Sequence, residues 1–178
     1  ADVDHLLIKT ASASVKFHDI HLNDALWSGT ELQFEDSRMD MGYLSVKNAS
    51  GNMKFEGKYP LHAVGDLNIP ALHKNLNIHD IKVVATGSLD TIQAGVATNT
   101  PDLLTGWVVL HPVRKHVPMF GELNFKKYHW PLLKEQELYT KNGVAKFNGD
   151  IQRLNIDAIT DLSGKNIPQG QYNGSMHT

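Results

Sequence analysis

The chain of 178 residues carries 17 basic and 19 acidic side chains for a formal net charge of −2, has 41% hydrophobic residues and contains no cysteine. That length is a prior for one domain, with apolar content enough for a core. The charge gives no general attraction for a polyanion, so nucleic acid is not an expected partner. The missing thiols exclude disulfides, cysteine nucleophiles and cysteine-based zinc or iron–sulfur sites.

Taken from its start, the chain has no charged and then apolar leader in residues 1–5, and it reads as a section cut from something longer. Its dominant period is two. Leu61, Ala63, Gly65, Leu67 and Ile69 alternate with His62, Val64, Asp66 and Asn68, and Leu154, Ile156, Ala158, Thr160 and Leu162 alternate with Asn155, Asp157, Ile159 and Asp161. Shorter runs at 14–22, 31–35, 50–55, 81–85, 92–98, 107–111, 122–125 and 144–151 give about a dozen strands. Asn142-Gly143 is the strongest hairpin signal, since a primed turn needs positive φ at both central residues. Gly51-Asn52, Gly57-Lys58 and Gly164-Lys165 are weaker versions. Segments 70–75 and 131–136 each open with proline, which suits a first helical turn, and read as short caps at most. Residues 99–102 are the nearest thing to a break. The chain is therefore one all-β unit over 1–178, with little helix.

An internal echo supports repetition. Lys47-Asn48, Lys54-Phe55, Gly57, Ala63-Val64-Gly65-Asp66-Leu67 and Asn68-Ile69-Pro70 return as Lys141-Asn142, Lys146-Phe147, Gly149, Ala158-Ile159-Thr160-Asp161-Leu162 and Asn166-Ile167-Pro168. The two copies cover approximately 44–70 and 138–168. Such a chain stacks similar β units that each bury an edge against a neighbour.

Catalytic signatures are lacking. There is no Gly-x-Ser-x-Gly elbow, phosphate-cradling glycine loop or His-Glu-x-x-His helix, so an enzyme is not expected. Ten histidines are many, but a strand turns residues three apart to opposite faces, so His18 and His21 cannot chelate together, and nothing completes a site around His73/His79 or His111/His116. No metal and no cofactor is expected. Arg114-Lys115-His116, between Pro112 and Pro118, reads as a solvated basic turn, with lipid headgroups as the minority alternative. Trp27, Trp107 and Trp130 read as core or rim packing.

Lys58-Tyr59-Pro60-Leu61 followed by Gly65-Asp66-Leu67, the Gly87-Ser88-Leu89 opening, Thr105-Gly106-Trp107-Val108-Val109-Leu110, and Phe125-Lys126-Lys127-Tyr128-His129-Trp130-Pro131-Leu132 resemble segments of the TamB family, long bacterial envelope proteins of the AsmA-like group. The resemblance covers roughly residues 40–170 and rests on strand-and-turn texture. It implies an internal piece of a periplasmic body whose parent is anchored in the inner membrane and meets the outer-membrane barrel protein TamA through parts not present here. It also implies an elongated, mostly antiparallel curved sheet forming an open hydrophobic trough, a β-taco, that shields phospholipid acyl chains between the two membranes.

Parity then assigns Leu61, Ala63, Leu67, Ile69, Ile81, Val83, Leu154, Ile156 and Leu162 to the concave, lipid-binding face, with His62, Asp66, Asn68, Lys82, Asn155, Asp157 and Asp161 outside. Val64 and Ile159 break the alternation. Two other readings stand beside this one: a scaffold or chaperone for outer-membrane protein assembly acting by β-strand addition, and a closed carbohydrate-binding sandwich. Free sheet edges also make self-association an expected property.

Overall fold

A computed structural model describes residues 2–3, 6–9, 14–17, 19–40, 45–68, 81–98, 104–133, 136–150, 152–164 and 167–177. All their regular structure is strand: β1 (Asp2–Val3), β2 (Leu6–Lys9), β3 (Ser14–Phe17), β4 (Asp19–Trp27), β5 (Glu31–Asp40), β6 (Ser45–Lys54), β7 (Pro60–Asn68), β8 (Ile81–Ser88), β9 (Thr91–Thr98), β10 (Leu104–Leu110), β11 (Met119–Leu133), β12 (Gln136–Gly149), β13 (Leu154–Gly164) and β14 (Ile167–His177). Twelve of them form one open antiparallel curved sheet in which, from β4 onward, every strand lies beside its neighbours in sequence. β2 and β3 make a separate hairpin, and β1 pairs with β4.

The alternating runs become strands because their apolar parity is buried on one face while the other parity meets water. β7 alternates half-buried Leu61 and Ala63 with exposed His62 and Val64. β13 alternates Leu154, Ile156 and Ala158 with exposed Asn155, Asp157 and Ile159. Among the described residues the other strand structure is the separate β2–β3 hairpin, and the buried face gains cover from its own side chains. Ile81, Leu104 and Tyr128, at 3%, 8% and 5% exposure, form a core cluster with Leu67, Val96, Leu123 and Phe125 packed against it. Burial raises the Tyr128 phenol above its ordinary pKa.

Local breaks in pairing sit where the chemistry tolerates them. Asp24, Asp36 and Asn48 have φ of 43°, 44° and 49° on three successive strands, each at a shift of register in the β4–β5 or β5–β6 ladder or between β6 and β7. Asp and Asn enter the left-handed region more readily than other side chains, and such bulges bend a strand and increase its twist. They are one source of the sheet's curvature. Prolines sit where a ladder tolerates them: Pro60 opens β7, Pro168 lies on the terminal strand β14, and Pro131 falls at the irregularity between Trp130 and Leu133.

Three expectations are corrected here. Asn142-Gly143 is not a turn, because both residues lie inside β12, which continues from Gln136 to Gly149. Gly143 is required small for another reason: a Cβ there would overlap Cε2 of Phe125 and stand 2.5 Å from Cδ2 and 3.0 Å from Cζ of the ring. Gly51-Asn52 likewise lies within β6. Segment 131–136 is no helical cap, since Pro131 to Leu133 extend β11 and Gln136 opens β12. Gly57-Lys58 does form a turn, with Gly57 at φ 60°. The expected cap at 70–75 and break at 99–102 lie outside the described residues, as does Lys165.

Candidate functional site

Pairing register carries the apolar parity from strand to strand. One row runs from Met53 through Leu61, Gly87, Ile92, Leu110, Met119 and Gly149 to Leu154. The next runs from Phe34 through Gly51, Ala63, Ala85, Ala94, Val108, Gly121 and Phe147 to Ile156. A third joins Gly65, Val83, Val96, Gly106, Leu123, Ala145 and Ala158. Between β7 and β13 these rows hold only apolar side chains and glycine. A fourth begins Val46, Leu67, Ile81 and resumes as Leu104, Phe125, Gly143 and Thr160.

Sequence parity had assigned Leu61, Ala63, Leu67, Ile81, Val83, Leu154 and Ile156 to one face, and all seven lie in these rows. Leu162 is half-buried on the same strand as Ile156 and pairs with Thr140, itself 1% exposed. Ile69 lies outside the described residues. Parity reasoning missed about as many positions as it named, among them Met53, Ile92, Val96, Leu104, Val108, Leu123, Phe125 and Phe147. Their signal was hidden by glycines at 51, 87, 106, 121, 143 and 149, which occupy the apolar parity itself, two of them, Gly51 and Gly143, having read as turn punctuation. Two of them explain the large neighbours: the Phe125 ring covers Gly143 of β12, and the Phe147 ring covers Gly121 of β11. This reciprocal packing lays both rings down on the sheet.

The opposite face is mainly polar. Lys82 Nζ stands 3.3 Å from Asp66 Oδ1, Asn48 Nδ2 donates to Asp66 Oδ2 at 2.6 Å, and Ser175 Oγ donates to Asp157 Oδ1 at 2.6 Å. The Asn48 bond, and after it Lys82, hold the Asp66 carboxyl below the usual aspartate range against a partial burial that works the other way. Asp66 and Asp161 are half-buried where full exposure was expected. An apolar patch interrupts this face: Val64, Val84, Trp107 and Phe120 are exposed, and the Trp107 and Phe120 rings meet edge-on at 5.9 Å. Trp107 is thus surface packing and not core. Trp27, also exposed, meets Phe55 at a tilt with ring centres 4.9 Å apart, beside Tyr59 at one end of the strands.

Among the described residues no three His, Asp or Glu side chains converge on a metal position, and no helix is long and apolar enough to cross a membrane. His111 Nδ1 lies 3.0 Å from the Asp90 carbonyl and 3.1 Å from Thr91 Oγ1, a hairpin contact. His18, His73 and His79 lie outside the described residues.

A family model described as TamB, N-terminal domain, matches residues 2–176, nearly the whole chain. No curated protein and no solved structure matches it.

Proposed function

Because the chain belongs to the TamB family, whose members are periplasmic, membrane-associated proteins with a role in outer-membrane biogenesis and form no known class of enzyme, we propose that its apolar sheet face is one stretch of a hydrophobic trough that shields phospholipid acyl chains between the inner and outer membranes. The supporting observation is the unbroken apolar and glycine composition of three adjacent rows from β7 to β13 of one open sheet. A face of that kind is a folding liability unless something apolar lies on it.

The energetics require such a lining. At about 0.8 kcal/mol per methylene, a sixteen-carbon chain crossing bare water costs on the order of 12 kcal/mol. Strands spaced about 4.8 Å apart make this section on the order of 50 Å of track. Leu61, Ala63, Leu67, Ile81, Val83, Leu154, Ile156 and Leu162 are the groove residues in this reading, and contact with TamA is assigned to other parts of the parent protein.

Photo-crosslinkers at Leu67 and Ile156 of the full-length protein capture phospholipid in this reading, and those at His62 and Asp157 do not. Equal capture on both faces would remove the groove. A second reading is favoured by one observation: β14 ends the sheet, with eleven residues and a bare outer edge among the described residues. That edge can add a strand from an outer-membrane protein under assembly, or from a second copy. Crosslinks from alternate β14 residues to protein instead of lipid distinguish it.

A further inference from the structure

In an antiparallel meander alternate turns fall at the same end of the strands. The β4–β5, β6–β7, β8–β9, β10–β11 and β12–β13 turns therefore line one rim of the sheet, and three neighbouring pairs of them are joined, the first by Phe55 N donating to Thr30 O at 2.7 Å. Leu89 N donates to Lys58 O at 3.3 Å, and Lys58 Nζ pairs with Asp90 Oδ2 at 3.3 Å. His111 Nδ1 reaches the Asp90 carbonyl at 3.0 Å. In the β12–β13 turn Asp150 Oδ1 accepts the Gln152 and Arg153 amides at 2.7 and 2.9 Å.

The β10–β11 turn, residues 111–118, is the most built of these. His111 N donates to Pro118 O at 2.9 Å across its base, while Arg114 N to His111 O and Val117 N to Arg114 O, both 3.1 Å, close two turns inside it. His116 and Val117 are both left-handed, with φ of 62° and 50°. A β-branched residue resists that region, and strain of this kind collects where a loop must hold a shape. The shape held sets Arg114 and Lys115 out in water. No carboxylate among the described residues pairs with either one. Two acids of the same rim are committed elsewhere, Asp90 to Lys58 and Asp150 to its own turn amides. One residue inside the turn, the apolar row begins: Leu110 pairs with Met119.

Two exposed cations one row from an apolar floor match an amphiphile whose anionic head and acyl tail are joined. We infer that the 111–118 loop contacts the phosphate of anionic phospholipid headgroups through Arg114 and Lys115, while the acyl chains lie on the rows below. The inference rests on the acyl-track reading and adds a headgroup preference to it. Arginine supplies two parallel donors to phosphate oxygens and lysine a point charge.

The test places photo-crosslinkers at Val113 on the loop and at Ile156 on the floor of the full-length protein. Phosphatidylglycerol or diacylglycerol is supplied in neutral detergent. Val113 captures phosphatidylglycerol, and Arg114→Ser with Lys115→Ser lowers that capture by about tenfold or more, since each cation near an anionic lipid surface is worth about a factor of five. Diacylglycerol capture at Ile156 is unchanged by the pair, which also shows that the sheet is intact. Arg114→Lys retains most of the phosphatidylglycerol capture. Equal phosphatidylglycerol capture at Val113 with and without the two cations overturns the headgroup contact. Capture at Val113 with none at Ile156 leaves the headgroup contact standing and removes the acyl track.

Discussion

Gly143→Ala is the sharpest probe of how this sheet is held. The added Cβ would overlap one edge atom of the Phe125 ring and stand 2.5 and 3.0 Å from two more, where carbon atoms rest at about 3.5–4.0 Å. The ring must therefore retreat by on the order of an ångström. It is not free to do so, because Phe125 packs against the Ile81–Leu104–Tyr128 cluster. Overpacking of this kind costs about 1–3 kcal/mol. In a chain of this size that lowers the midpoint of thermal unfolding by roughly 2–4 °C per kcal/mol.

The same substitution in a Phe125→Ala background meets no ring, and there the ordinary strand preference of alanine over glycine returns as a gain of about 0.5–1 kcal/mol. The sign of the effect thus reverses between the two backgrounds, with a coupling of on the order of 2–3 kcal/mol. Urea unfolding followed by tryptophan fluorescence for the four proteins measures it. An equal cost in both backgrounds would refute the steric account and return Gly143 to a backbone role.

Ile81→Ala, at the centre of the core cluster, should cost about 2–4 kcal/mol in the same assay. Ile156→Arg, outside that cluster, should abolish lipid capture at neighbouring floor positions while shifting the unfolding midpoint less than Ile81→Ala; the reverse ranking would mean that the floor is structural only. Asp66 has a folded pKa below its unfolded value, set first by Asn48, so its contribution is present above the unfolded pKa of 3.8 and is lost as pH falls through the folded value. The stability difference between the native protein and Asn48→Ala should therefore be constant from pH 5 to 7, roughly, and shrink below about pH 4. Acid titration of both proteins checks the sign. Far-ultraviolet circular dichroism should be strand-dominated; a spectrum with a third or more helix would be inconsistent with the fold.

The strands and their buried parity were legible because period two is a property of a single segment, as at Leu61 to Leu67 and Leu154 to Ile156. What the sequence hid is set between segments. Asn142-Gly143 has turn chemistry, but the reason for Gly143 is a ring on the adjacent strand, and no reading along one strand contains it. The bulges at Asp24, Asp36 and Asn48 shift the apolar parity in mid-strand, so runs that look broken, such as 45–54, are continuous. Pro131 suggested a helical start, yet a ladder irregularity also accommodates a residue without an N–H. The candidate face was half legible for the same reason: large side chains announced it, and the glycines that complete its rows did not.

The pairing order has a consequence for how such a molecule comes to be made. From β4 onward each strand is built against the one just before it, and among the described residues no pairing reaches further along the chain than Met119 to Gly149. The main contacts between elements are likewise between strands adjacent in the sheets. Among the described residues no strand near the end of the chain pairs with one near its beginning, and short loop closures make this a fast topology for an all-β protein. A chain delivered N-terminus first can therefore fold as it arrives, each new strand using the last as its template. Length then adds no kinetic penalty, and a sheet of this design can be extended strand by strand to any span that the gap it crosses demands.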